Sequence, residues 1–442
     1  MTFAPIPPER FRQLLSDVRE GRYAAEDLAR YGPITDWNTS LITDMSEAFA
    51  KWQDFNADIS RWDTRNVTTM RAMFLGAQVF DQPIGGWDVG QVEDMCGMFA
   101  CAGNFNQPLH GWNTGQVKAM SAMFLEAEYF DQELEAWDVG RVTDMTAMFQ
   151  GARRFDQPLA RWNVSAVVSM AGMFANALAF NQTLEGWNVS QVETMWCMFH
   201  NAWKFNQPLE RWNTGRVTNM SWMFCGAKAF NQPLAGWNVS QVVAMRRMFK
   251  EARTFNQPLE GWDVGRVEDM SEMFWMARVF DQPLAGWDVS NVKRMSFMFF
   301  NAHAFNQPLE DWDTSRVQRM NYMFCVACSF NQPLRKWDLS SITYMAGMFN
   351  HAHAFTQSLE GWMAGPPTAR QLVSVMLKAD HASYDEEEEE EEEEDVDVDV
   401  DVESLPAAAG AEAEDEDVDV ESLPAAAGAE AGAEAGTNPT LT

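Results

Sequence analysis

No apolar run in this 442-residue sequence approaches the ~18 residues that a membrane-spanning helix needs. The opening MTFAPIPPERFRQLL has no basic start followed by an apolar stretch, so no signal peptide is expected. Those two absences favour an intracellular protein. Histidine and cysteine are scarce, six of each. The cysteines (Cys96, Cys101, Cys197, Cys225, Cys325, Cys328) share no repeating position, which reads as free thiols in a reducing compartment. Gly-x-Ser-x-Gly, Gly-x-Gly-x-x-Gly, the P-loop pattern and His-Glu-x-x-His do not occur. Nothing positions a nucleophile or a base, so the expectation is no enzyme, no cofactor and no metal. Basic residues vanish from residue 385 onward, where 24 acids stand without a Lys or Arg. The preceding 384 residues hold 40 acids against 32 bases, a balance that argues against a broad nucleic-acid face.

What is present is a repeat. Tryptophan stands at residue 37 and at every 25th residue to 362, accounting for 14 of the 19. Counting from each Trp, Met recurs at offsets 8 and 11 and Phe at offsets 12 and 18, which absorbs 25 of 29 Met and 26 of 30 Phe. A Met-rich composition arranged in columns is core and not a metal-binding surface. Met, Met, Phe and usually Ala at offsets 8, 11, 12 and 15 share one face at helical spacing and predict a short helix. The next Phe leads into a polar turn, most often Asn-Gln-Pro, where Pro stops the helix. Leu-x-x-Trp-x-Val, as at Leu234, Trp237 and Val239, alternates as a strand does. Each unit exposes apolar side chains that it cannot bury alone, so identical units must stack, Trp on Trp and Phe on Phe. The expected fold is an α/β repeat solenoid of about 13 turns, each a short parallel strand plus a short helix, closed by helical caps.

The run Trp-Asn-Val-Ser-Gln-Val-Glu-Thr-Met, Met-Phe, Ala, Phe-Asn-Gln-Pro-Leu (187–209) resembles the mycoplasma-lipoprotein-type repeat, a relative of the BspA-like leucine-rich-repeat surface proteins. The likeness covers roughly residues 31–362. Leu-x-x-Trp-x-Val looks like the strand segment of leucine-rich repeats. The opening Tyr-Gly-Pro-Ile-Thr-Asp-Trp (31–37) looks like the cap of versions in unicellular eukaryotes and large DNA viruses. The resemblance implies a solenoid with strands on one face and a role in surface adhesion or protein interaction.

The ends break the pattern. Residues 1–34 are expected to form a helical N-terminal cap, with Phe11, Leu14, Leu15 and Val18 on one helical face. The repeats fill 35–362, and 363–384 should supply a C-terminal cap helix, with Thr368 and Gln371 as a capping box. Residues 385–442 carry nine consecutive Glu, Asp-Val alternation and a duplicated DVDVESLPAAAGAEA. They are expected to be a disordered acidic tail, solubilising or able to contact basic proteins.

Other groupings read as structural. Cys325-x-x-Cys328 lacks the further ligands a zinc site needs, and His303 and His353 share an offset two units apart. Two Asp/Asn columns follow the Trp and the second Phe. They suit turn-bonding ladders better than calcium, because Asn replaces Asp freely. Information must then sit in the variable columns. The candidates for partner binding are Arg141, Arg216, Arg266 and Arg316 at offset 4, and the exposed extra aromatics Trp196, Trp203, Trp222 and Trp275, with Phe297 and Tyr322 beside them. The reading is a non-enzymatic protein-interaction scaffold with an unidentified protein partner, and a cell-surface or virion-surface adhesin as the alternative.

Overall fold

The computed structural model describes residues 3–364 together with Arg370, Gln371 and Val373. Thirteen coils, each running from one repeat Trp to the next, stack in register as a solenoid. A parallel bridge at offset 7 joins every neighbouring pair, from Asp44 with Thr69 to Arg319 with Tyr344.

The short helix expected at offsets 8–15 is not a helix. In the coil that starts at Trp187, Met198 N–H donates to Met195 O (3.1 Å), His200 to Cys197 O (3.0 Å) and Ala202 to Phe199 O (3.1 Å). These are three successive four-residue turns. The intervening amides point along the stack instead: Met195, Cys197, Phe199 and Asn201 donate to Asn219, Ser221, Met223 and Cys225 of the next coil at 3.1, 3.0, 2.9 and 2.7 Å. The switch is made by left-handed residues at offsets 10 and 14, such as Cys197 (φ 54°) and Asn201 (φ 51°). A positive φ in the third position of a turn flips the next peptide and ends helical bonding. Each coil repeats this pair, and 20 of the positions are not glycine. A helix would satisfy its own amides and leave neighbouring coils joined by side chains alone. The turn chain keeps the same apolar face and gives half its amides to the neighbour. The strand expected at Leu-x-x-Trp-x-Val is likewise absent, since pairing occurs at offset 7.

Inside the coil the columns stack. Trp rings pair face to face at 5.9–6.5 Å, and Phe rings at offset 12 at 5.3–5.8 Å. The repeat Trp residues are at most 4% exposed. Each indole N–H from Trp62 to Trp362 donates to the carbonyl of the residue 28 positions earlier, at 2.8–3.3 Å, as Trp237 does to Leu209 O. The column thus buries a large ring without burying an unpaired donor. The Asp/Asn columns do bond turns. Asn206 Oδ1 accepts both Asn231 N–H (2.9 Å) and Gln232 Nε2 (3.0 Å), and Asn188 Oδ1 accepts Ser190 N–H (3.2 Å). Only the Oδ1 acceptor is used, which is why Asp and Asn interchange.

At the N-terminal end α1 (Pro8–Arg19) and α2 (Ala25–Tyr31) cover the first coil. Phe11, Leu14, Leu15 and Tyr31 join the common core, and Phe11 meets the Trp37 and Trp62 rings edge-on at 6.3 and 5.9 Å. At the other end a 3-10 turn spans Glu360–Ala364, and Val373 is fully buried in the same core. Most of the expected cap helix, and all of residues 385–442, lie outside the described residues. Among the described residues no helix is long and apolar enough to cross a membrane.

Candidate partner-binding surface

Two coils related by translation alone would separate every pair of equivalent points equally. They do not. Between the later coils, Trp312–Trp337 are 6.4 Å apart, Phe324–Phe349 5.6 Å, and Phe297–Tyr322 at offset 10 are 5.0 Å. Spacing shrinks from the Trp side toward the turn ladder, so the coils fan and the ladder lines the inner side of the curve. Side chains at offsets 9, 10, 13, 14 and 16 stand on that side.

This strip changes character half-way along the rod. In the early coils offsets 10 and 13 are mostly small: Ala100, Ala122, Leu125 and Ala147 form a buried cluster with Leu75 packed on it. From Cys197 onward they become aromatic and cationic. Arg247 lies over the Trp222 ring (4.2 Å) and Lys250 over Trp275 (4.4 Å). Trp275 stacks on Phe297 (5.0 Å) and touches Phe300 (4.7 Å), and Phe297 stacks on Tyr322. Glu272 binds the two halves, with Arg247 Nε at 2.6 Å, Arg246 at 3.4 Å and Lys250 at 3.5 Å. Burial pushes the Glu272 carboxyl up, but the Arg247 hydrogen bond and the charges of Arg247, Lys250 and Arg246 outweigh it, leaving the group below the usual range. One carboxylate facing three cations leaves the cluster positive. At offset 16, Lys228 lies over Trp203 (3.9 Å), followed by exposed Arg253 and Arg278 and then His303.

Of the aromatics taken from the sequence as exposed, Trp196, Trp203, Trp222, Trp275, Phe297 and Tyr322 are all half-buried. Neighbouring coils stand ~5 Å apart, closer than an indole is wide, so large side chains on adjacent coils must cover one another. Trp222 and Trp275 are joined through the Arg247–Glu272–Lys250 bridge; Trp203 sits over Lys228 on the outer column. The four arginines lie elsewhere. Arg141, Arg216, Arg266 and Arg316 are exposed at offset 4, bonded to Gln116, Gln191, Gln241 and Asn291 of the preceding coil. Arg216 also pairs with Glu193 at 2.8 Å. Sequence reading missed Arg246, Arg247, Lys250, Arg253 and Arg278. Comparing variable columns between the two halves of the rod would have found them.

The remaining groupings gain no chemistry from the fold. Cys325 is buried and Cys328 exposed, and all six cysteines are free. Burial pushes the Cys96 and Cys225 thiols up to about 12. Among the described residues no three His, Cys, Asp or Glu side chains stand where they could hold a metal. His200 is buried beside Trp222 (5.4 Å), and burial holds its imidazole down at about 4.

The family described as Mycoplasma protein of unknown function, DUF285, matches residues 21–135, 119–220, 197–302 and 282–383, four overlapping spans that cover the whole solenoid. The chain belongs to this family. The internal boundaries between the four spans fall within coils, as expected where one 25-residue unit recurs without a break. No curated protein matches the chain at a significant level. Similar solved structures include a chain of the TLR13–ssRNA13 complex, at 9% identity and a TM-score of 0.20 over 72% of this chain and 50% of that one. Another belongs to the Toll–Spätzle complex of Drosophila, at 10% identity and 0.22 over 72% and 46%. This chain spans about half the length of either.

Proposed function

We infer that this member of the family is a non-enzymatic protein-interaction scaffold whose basic-aromatic strip, at offsets 9–16 of residues 196–328, receives an acidic polypeptide segment. One observation carries the reading. Within those six coils the strip holds Lys228, Arg246, Arg247, Lys250, Arg253 and Arg278 against Glu251 and Glu272, in a solenoid that is otherwise acid-rich. The same columns of the six earlier coils balance Lys51, Arg71 and Arg153 against Glu47, Glu126 and Glu128. A local reversal of charge, laid on half-buried tryptophans, supplies steering and apolar anchorage together. The resemblance of the 187–209 run to the mycoplasma-type repeat and its BspA-like relatives supports an interaction role of the same kind.

The test is direct binding of a dye-labelled Glu-rich peptide to the full chain with Glu386 to Glu394 replaced by Gln, so that its own acidic run does not compete. Trp275→Ala and Lys250→Ala should each weaken binding about tenfold, and Arg141→Ala and Arg266→Ala should leave it unchanged. Losses from Arg141→Ala and Arg266→Ala alone would move the surface to the offset-4 flank. An unaffected affinity in all four would remove the reading.

A further inference from the structure

The acidic segment best placed to meet this strip is the chain's own. Resting on the reading above, we propose that the glutamate run at 386–394 folds back onto the strip and occupies it, so that an outside partner must displace it.

Three observations converge. The first is charge: the strip concentrates six basic side chains against two acidic ones, whereas residues 385–442 hold 24 acids and no base. The two most unlike electrostatic regions of the molecule are covalently joined. The second is reach. The described chain passes Ala364 at the end of the stack, just after Trp362, five 25-residue steps beyond Trp237, which opens the coil of Arg246, Arg247, Lys250 and Arg253. That is roughly 25 Å at ~5 Å per coil. Val373 is held in the core at that end, and the 12 residues from 374 to 385 can span about 40 Å, more than the distance needed. The third is fit. Nine extended residues cover roughly 30 Å, enough to cross the three adjacent coils that carry all six bases, roughly 10–15 Å, and to run on over the aromatics beyond them. Carboxylates on one side of an extended chain repeat about every 6.7 Å. Equivalent rings at offset 10 are 5.0 Å apart, and flexible Lys and Arg stems absorb the difference.

The consequence is competition. A linked segment meets its site at an effective concentration in the millimolar range, so even weak docking excludes a dilute partner. Acid–base contacts on a half-exposed face are screened by salt, and occupancy should be released as ionic strength rises.

The experiment uses full-length protein and a fluorescent peptide with the sequence of residues 385–402, followed by anisotropy in low-salt buffer. Wild-type chain should bind it at least about tenfold more weakly than the chain with Glu386 to Glu394 replaced by Gln. In that neutralised chain, adding Lys228→Gln, Arg253→Gln and Arg278→Gln should cost about tenfold again, as should raising salt to about 0.5 M. Far-UV circular dichroism and the melting temperature check that each variant is folded. Equal affinity for the wild-type and neutralised chains overturns self-occupation while leaving the strip as a binding surface. No binding by the neutralised chain overturns both. Binding that ignores the three Gln substitutions places the docking site elsewhere and also refutes the proposal. A single-stranded oligonucleotide run in parallel is the final arm: if the neutralised chain takes it and not the peptide, the strip is an anion groove of another kind and the proposal fails.

Discussion

Trp237 offers the sharpest test of the stacking argument, because it is held on both sides. Its ring stacks on Trp212 at 6.3 Å and on Trp262 at 6.4 Å, and it is 4% exposed. Its Nε1–H donates to Leu209 O at 2.9 Å. Removing about 200 Å² of buried ring surface at ~25 cal/mol/Å² costs about 5 kcal/mol as an upper figure. Large-to-Ala changes in cores cost about 3–5 kcal/mol. The lost hydrogen bond adds less than a full desolvation cost, because Leu209 O also accepts Trp212 N–H at 3.0 Å. That contribution is about 1 kcal/mol. Trp237→Ala should therefore destabilise by about 5 kcal/mol, and Trp237→Phe, which keeps a stacked ring, by about 2 kcal/mol. Urea unfolding followed by circular dichroism measures both, with Arg216→Ala as an exposed control expected within about 0.5 kcal/mol. Since each coil touches only its neighbours, the Ala variant should also broaden the transition or divide it in two. A Trp237→Ala cost below about 2 kcal/mol, or one matched by Arg216→Ala, would refute the assignment of inside and outside.

Three further outcomes rest on particular residues. His200 has its folded pKa lowered to about 4 by burial, with Lys250 and Arg247 acting the same way and the Cys225 backbone contact opposing them. The unfolded chain therefore binds the proton first, and stability should fall as pH drops from about 6.5 to 4, by about 3 kcal/mol from this group; His200→Gln should flatten that part of a pH–stability curve. Val326 is a β-branched residue held at φ 58°. Val326→Gly should raise stability by about 1 kcal/mol. The reverse change, Gly226→Val, should lower it, since a side chain there would run into the Asn201 amide; a loss of stability in Val326→Gly would contradict the turn geometry. Cys328 is the exposed thiol, while Cys197 and Cys225 are buried with burial pushing both thiols up. Timed iodoacetamide labelling with mass spectrometry should modify Cys328 first in native protein, and equal rates at Cys197 would show that the core is open.

The solenoid was legible in the sequence because its period is a covalent fact. A Trp at every 25th residue, with Met, Phe and Ala at fixed distances, leaves one economical way to bury them: identical units in register. The same columns told core from surface, since Met195, Phe199 and Trp187 had to face one another. Local backbone geometry was not legible. Apolar residues at spacing i, i+3, i+4, i+7 fall on one face in a helix, and equally in three consecutive turns. Only the stacked neighbour decides between them, by accepting the amides of Met195, Cys197, Phe199 and Asn201. That contact holds residues such as Trp222, Phe297 and Val326 at a positive φ that their own preferences oppose. The candidate surface divides the same way. The sequence marked Trp222 and Trp275 as breaking the repeat rule. Stacking at ~5 Å per coil made them half-buried neighbours of Arg247, Lys250 and Glu272, because side chains 25 residues apart meet only when the coils do.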